Sequence, residues 1–212
     1  MNHATSDRWT RLWREQQLVG IALAAYQDLL AAHEESHRHY HNLRHISDCL
    51  AEFDSVRDLV ENPGAVELAI WFHDVIYNTR APDNEERSAE RARQVILQAQ
   101  GCAGLAEAVW ALILATKMHD PSRHPDAALL VDVDLSILGQ PEARFWEYEA
   151  QIRREYDWVP EAVFKAKRAE ILQRFMGRAR IYATDEFVHR YEQQARKNLQ
   201  ESIDRLMGST AS

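Results

Sequence analysis

The segment AVELAIWFHDVIY, residues 65–77, is apolar on nearly every side, yet it carries the adjacent pair His73 and Asp74. A helix that is apolar all round belongs at the centre of a fold. An ionised carboxylate placed there costs several kcal/mol unless something neutralises it. The segment AALLVDVDLSILG, residues 127–139, repeats the conflict with Asp132 and Asp134. Any fold of this chain must therefore bring compensating charge to two buried elements. A divalent cation does this directly, because imidazole nitrogen and carboxylate oxygen are ordinary ligands of Mn, Mg, Co, Ni, Zn or Fe.

The rest of the chain points to helices. Apolar residues recur at steps of three and four, helix formers dominate, and Gly and Pro number only 7 and 6. The expected class is all-α, and 212 residues suffice for one packed core. Caps and breakers predict a first helix from about Asp7 to Ala32, a second beginning near Asn42, and a third after Pro63–Gly64. Next come a helix behind the Asp83–Glu86 capping box, the buried run LAEAVWALILATKMH, and one capped by Asp126 and stopped by Gly139. Between the last two lies the loop DPSRHPD. Three amphipathic helices follow, about Glu142–Tyr156, Pro160–Met176 and Asp185–Met207. This predicts a single domain, 1–212, with a metal-site core at about 33–139 and a helical extension at about 140–212 that packs against or lids the first half.

His45 on the second helix, His73 and Asp74 on the third, and Asp134 further on would supply four ligands from three helices. Four protein ligands leave room for water, and an ion with an open position acidifies that water into a nucleophile. Asp132 competes with Asp134 as the last ligand.

The net charge of −8 argues against a nucleic-acid polymer as partner, because such binders present a basic face. Six basic residues do cluster between Lys165 and Arg180 against one acid, Glu170. They read as a solvated helix face or as a rim for a small phosphorylated ligand. The two cysteines, Cys49 and Cys102, show no metal-like spacing and the N-terminus shows no signal-peptide pattern, so a reducing cytoplasm is the expected compartment. The uncharged run Gln16 to Gln27 is too short for a bilayer, so no membrane partner is expected.

The order His, His-Asp, Asp resembles the HD superfamily of metal-dependent phosphohydrolases, over roughly Tyr40 to Gly139. YHNLRHI is similar to the His-Asn-x-x-His segment of the cyclic-nucleotide phosphodiesterases, and DLSILG to the stretch that supplies their last ligand. Together with FHD, DNEERSA and ATKMH, they resemble a bacterial group of HD phosphohydrolases of unassigned substrate. The resemblance implies an HD-type domain with His45, His73, Asp74 and Asp134 as ligands, Asp134 being preferred by the match to DLS. It implies His41 as the acid that protonates the leaving oxygen, with His41 and His45 on one helical face, and Asp74 as essential to catalysis. Asn42 would orient the site or simply cap the helix.

His119, with Thr116 one turn earlier, would face the site as a second-metal ligand or phosphate contact, and Glu85 or Glu86 would hold a water there. Arg38 would clamp a substrate phosphate or lie solvated, Arg44 is read as solvated, and His33, His37 and His39 as surface residues. Trp146, Tyr148, Tyr156 and Trp158 read as core packing, with a nucleobase-stacking wall as the alternative. The implied activity is hydrolysis of a phosphoester or phosphoanhydride of a small, nucleotide-like molecule, with a homodimer left open. Two other readings keep the ligands: a di-iron HD oxygenase, and a non-catalytic nucleotide-sensing module.

Overall fold

The structure, a computed structural model, describes residues 3–119 and 124–208, so Asp120 to Arg123 of the DPSRHPD loop lie outside the described residues. The fold is all-α, with no strand among the described residues. The helices are α1 (Ser6–Glu15), α2 (Ala22–His33), α3 (Leu43–Asp54), α4 (Pro63–Phe72), α5 (Asn84–Gln98), α6 (Ala103–Met118), α7 (Ala127–Leu135), α8 (Glu142–Glu155), α9 (Glu161–Met176) and α10 (Asp185–Leu206). Short 3₁₀ turns cover Arg57–Leu59 and Ser136–Gly139. The chain divides into two compact units, Met1–Asp134 and Leu135–Ser212. Among the described residues no helix is long and apolar enough to cross a membrane.

The first unit is built round α4, which packs against α1, α3, α5 and α6. Asn62 caps it by accepting from the Ala65 N–H, and Pro63 occupies the first turn, where its missing N–H costs nothing. Every residue from Gly64 to Phe72 is buried, including Glu67. The Glu67 carboxylate is paired with Arg57 and with Arg8 Nε at 2.7 Å, and Arg8 also grips both oxygens of Asp54 at 2.7 and 2.8 Å. Beside it, Trp71 meets Trp9 edge to face, with centroids 5.4 Å apart. Burying each such ring contributes about 2–3 kcal/mol.

The structure corrects several local expectations. The single helix from Asp7 to Ala32 is two helices, broken at Gln16–Ile21. There Gln17, Gly20 and Ile21 all adopt positive φ, and Val19 N–H donates to Ala99 O at 2.8 Å, a tertiary bond that overrides local helix propensity. The run AVELAIWFHDVIY stays helical only to Phe72, and His73 is its cap. Asp83 precedes α5 but makes no side-chain cap bond. The Asp126 carboxylate turns to the N–H groups of Glu61 and Asn62, at 2.8 and 2.9 Å, and so braces the start of α4.

His33 is buried and not a surface residue, whereas His37 is exposed and His39 intermediate. Its Nδ1–H donates to Leu29 O at 2.8 Å, which leaves Nε2 as a buried acceptor with no hydrogen-bond partner. Burial pushes the imidazole down to about 4 from an ordinary 6.5. Well above pH 6.5 it is uncharged in both the folded and unfolded states and contributes no pH dependence. As pH falls from 6.5 to about 4, only the unfolded chain takes up the proton, and stability drops by roughly 3 kcal/mol across that window. Urea unfolding of the wild type and His33→Leu at pH 7.5 and 4.5 should show a smaller loss in the variant; equal losses would refute the assignment.

In the second unit α10 packs against α9 and the Ser136–Gly139 turn. Asn198 Nδ2 donates to Leu138 O and Gln140 O at 2.8 and 2.9 Å, and Tyr182 donates to Leu135 O at 3.2 Å. A Cβ at Gly139 would lie 2.4 Å from Tyr191 Cβ, so a side chain is excluded there. Of the basic cluster, Lys165, Lys167 and Arg180 form ion pairs with Glu161, Glu170 and Asp185. Arg168 departs from both readings of that cluster, being buried against Glu149 and Tyr148. Tyr148 is buried as core packing requires, whereas Trp158 is exposed.

Candidate metal centre

Three segments of the first unit converge. Asn42 caps α3 by accepting from Arg44 N–H at 2.9 Å while its own amide donates to His39 O at 2.8 Å, which accounts for this residue as a helix cap. His45 follows in the first turn of α3 and is buried. His73 closes α4, its N–H bonded to Ala69 O at 2.9 Å. Its Nδ1–H donates to Ile70 O at 2.9 Å, which fixes the ring with Nε2 turned toward the carboxylates. Asp74 lies in the turn that follows, and Asp134 on α7.

The Nε2 atoms of His45 and His73 stand 3.0 Å apart. Asp74 Oδ2 lies 3.1 Å from His73 Nε2 and 3.5 Å from His45 Nε2, and Asp134 Oδ1 lies 3.6 and 3.3 Å from the same atoms. With metal–ligand bonds of about 2.1 Å, neighbouring ligand atoms stand about 3.0 Å apart at a right angle and about 3.4 Å apart at the tetrahedral angle. The separations that tie each carboxylate to the two imidazoles are near these lengths, while Asp74 and Asp134 themselves fall in different ligand groups. Two lone-pair nitrogens 3.0 Å apart repel unless a proton or a cation lies between them. The residues are positioned to hold a metal ion, in two overlapping triads, His45–His73–Asp74 and His45–Cys49–Asp134, each with ligand atoms within 4.8 Å of one another.

The electrostatics agree. Burial alone would raise both carboxyls. The imidazoles of His73, His41 and His45 outweigh it at Asp74, and those of His119, His45 and His73 at Asp134, holding both well below the usual carboxylate range. Burial would depress His73, but the charges of Asp74 and Asp134 hold it up. A cation would supply the positive charge that these two carboxylates call for.

The remaining candidates separate clearly. His41 lies in the turn before α3, not on the helix, because α3 begins only at Leu43; the shared helical face is thus corrected. Its ring nevertheless sits 5.8 Å from that of His45 and stacks on Tyr77 at 4.3 Å. His119 caps α6 in the left-handed conformation, with Nε2 3.7 Å from Asp134 Oδ2. Thr116 directs its hydroxyl to Ile113 O at 2.7 Å. Glu85 is half-buried and raised by that burial and by the charge of Asp74, whereas Glu86 is exposed and paired with Lys117. Asp132 is fully buried but belongs to neither triad. Arg44 is exposed, as expected.

Arg38 is not solvated. It is buried and donates to the carbonyls of His41, Asp74 and Val75 at 3.1, 2.6 and 3.0 Å. Sequence reasoning missed Cys49, whose sulfur lies 3.7 and 3.8 Å from the ring nitrogens of His45. The available signal was its position one helical turn beyond His45. In comparisons with family models, curated proteins and solved structures, nothing matches the chain.

Proposed function

We propose that the chain is a metal-dependent phosphohydrolase that cleaves a phosphoester or phosphoanhydride of a small, nucleotide-like molecule. The observation that carries this reading is the convergence of His45, His73, Asp74 and Asp134 at ligand spacing, with the His41 ring on its edge. A divalent ion bound there would supply Lewis-acid charge and lower the pKa of a water. The protein's own part is positional. His73 and His45 present nitrogens whose lone pairs face inward, and Asp74 and Asp134 balance the positive charge. Water then adds to phosphorus as the bond to the leaving oxygen breaks, and His41 delivers the proton that oxygen needs. Tyr77 stacked on one side and Arg38 bonded to the His41 carbonyl hold that imidazole in place.

Screening nucleotides, sugar phosphates and diphosphates with Mn, Mg, Co, Ni, Zn or Fe tests the activity. On the substrate so found, His41→Ala should lose about 10²–10⁴-fold in kcat while keeping a wild-type metal content. Full turnover in that variant would remove His41 from the mechanism. One observation supports a second reading: His119 beside Asp134 suits a second ion, as a di-iron oxygenase would require. Metal analysis separates the two, two irons per chain favouring the oxygenase.

A further inference from the structure

We infer that Cys49 supplies a thiolate to the ion held at this centre, so that the site ranks ions by softness and takes Zn, Co or Cd in preference to Mg or Mn. This rests on the metal-binding reading of the site, not on phosphate chemistry. A buried cysteine is often only a small apolar filler. The surroundings of Cys49 are different. Its sulfur lies 3.7 Å from Nδ1 and 3.8 Å from Nε2 of His45, and together with His45 and Asp134 it forms one of the two triads whose ligand atoms lie within 4.8 Å. With bonds of about 2.3 Å to sulfur and 2.1 Å to nitrogen, tetrahedral coordination places S and N about 3.6 Å apart. The observed separation from Nε2 exceeds that by tenths of an ångström.

The two triads share His45 and are alternative ligand sets, one of imidazoles and a carboxylate (His45, His73, Asp74) and one that adds sulfur (His45, Cys49, Asp134). Hard ions are satisfied by the carboxylates and imidazoles, whereas soft ions gain from sulfur. Coordination breaks the S–H bond, forms the sulfur–metal bond and releases the proton to solvent. Cys102 serves otherwise: it is exposed and its sulfur accepts the Leu105 N–H as a helix cap.

The test uses the full chain with Cys102→Ser as background, titrated with Co, Cd and Mn, with and without Cys49→Ala. Bound cobalt should show both its visible d–d bands and a near-ultraviolet thiolate-to-cobalt charge-transfer band. Cys49→Ala should keep the former and lose the latter. Its Cd affinity should fall by more than about tenfold, the loss that even an outer-shell partner can cause, with Mn affinity little changed. Visible bands without charge transfer in the Cys49-containing protein would overturn the proposal while leaving the metal site standing. So would equal losses of Cd and Mn affinity, which would make the sulfur a mere orienter of His45. If no cobalt binds at all, the metal reading falls with it.

Discussion

Asp74→Ala should leave the protein without its ion and, on any phosphorylated substrate, without turnover above background. The Asp74 carboxylate lies 3.1 Å from His73 Nε2 and 3.5 Å from His45 Nε2, so it touches both nitrogens that a cation would bridge. Removing it deletes one ligand and also one of the two negative charges that balance a divalent ion in a buried site. Asp134 alone would leave a net charge beside two imidazoles, and desolvating an unbalanced charge costs several kcal/mol. At 1.4 kcal/mol per decade, that is a loss of affinity of at least about a thousandfold. Asp74→Asn keeps the shape and an oxygen but not the charge, and should fall between wild type and alanine. Metal analysis of extensively dialysed protein measures this independently of any substrate, and circular dichroism checks that the helices remain. Wild-type metal content in Asp74→Ala would remove the proposed centre.

The contrast with Glu67 shows which part of this was legible in the sequence. Both Glu67 and Asp74 are carboxylates carried by one apolar run, and the burial argument demands compensation for each. At Glu67 that compensation is two arginines, and at Asp74 it is imidazoles. The sequence pattern poses the problem but does not say which partner folds onto it, because Arg8 and Arg57 come from elsewhere in the chain. The boundaries of α8, α9 and α10 were readable to within a residue or so because Pro141, Pro160 and Thr184 punctuate them locally. The break between α1 and α2 was not, because the bond from Val19 to Ala99 that stabilises it is long-range. His33 was misread for the same reason: its burial depends on tertiary packing, not on the polar stretch that follows it. Asp134 was separable from Asp132 by a motif match alone, and the geometry now gives each aspartate its own surroundings.

Arg38→Ala is expected to produce the largest loss of stability of any change near the centre. The guanidinium is fully enclosed and spends its donors on Glu35 Oε2 at 2.9 Å and on the carbonyls of His41, Asp74 and Val75. Truncation leaves those carbonyls short of a donor, and each buried unsatisfied acceptor costs about 1–3 kcal/mol. The sum, allowing for water entering the gap, is about 3–5 kcal/mol, or a fall in Tm of roughly 10 °C in a chain of this size. Arg38→Lys should recover only part of it, because a point donor cannot reach three carbonyls at once. The same bonds tie the turn carrying His41 to the turn carrying Asp74, so metal affinity should weaken along with stability. This separates the two residues experimentally. Asp74→Ala should abolish metal binding with a modest effect on the metal-free protein, whereas Arg38→Ala should already unfold more easily when chelator is present. Urea unfolding in EDTA therefore decides the matter: a loss below about 1 kcal/mol for Arg38→Ala would mean that the buried guanidinium is not what joins the two turns.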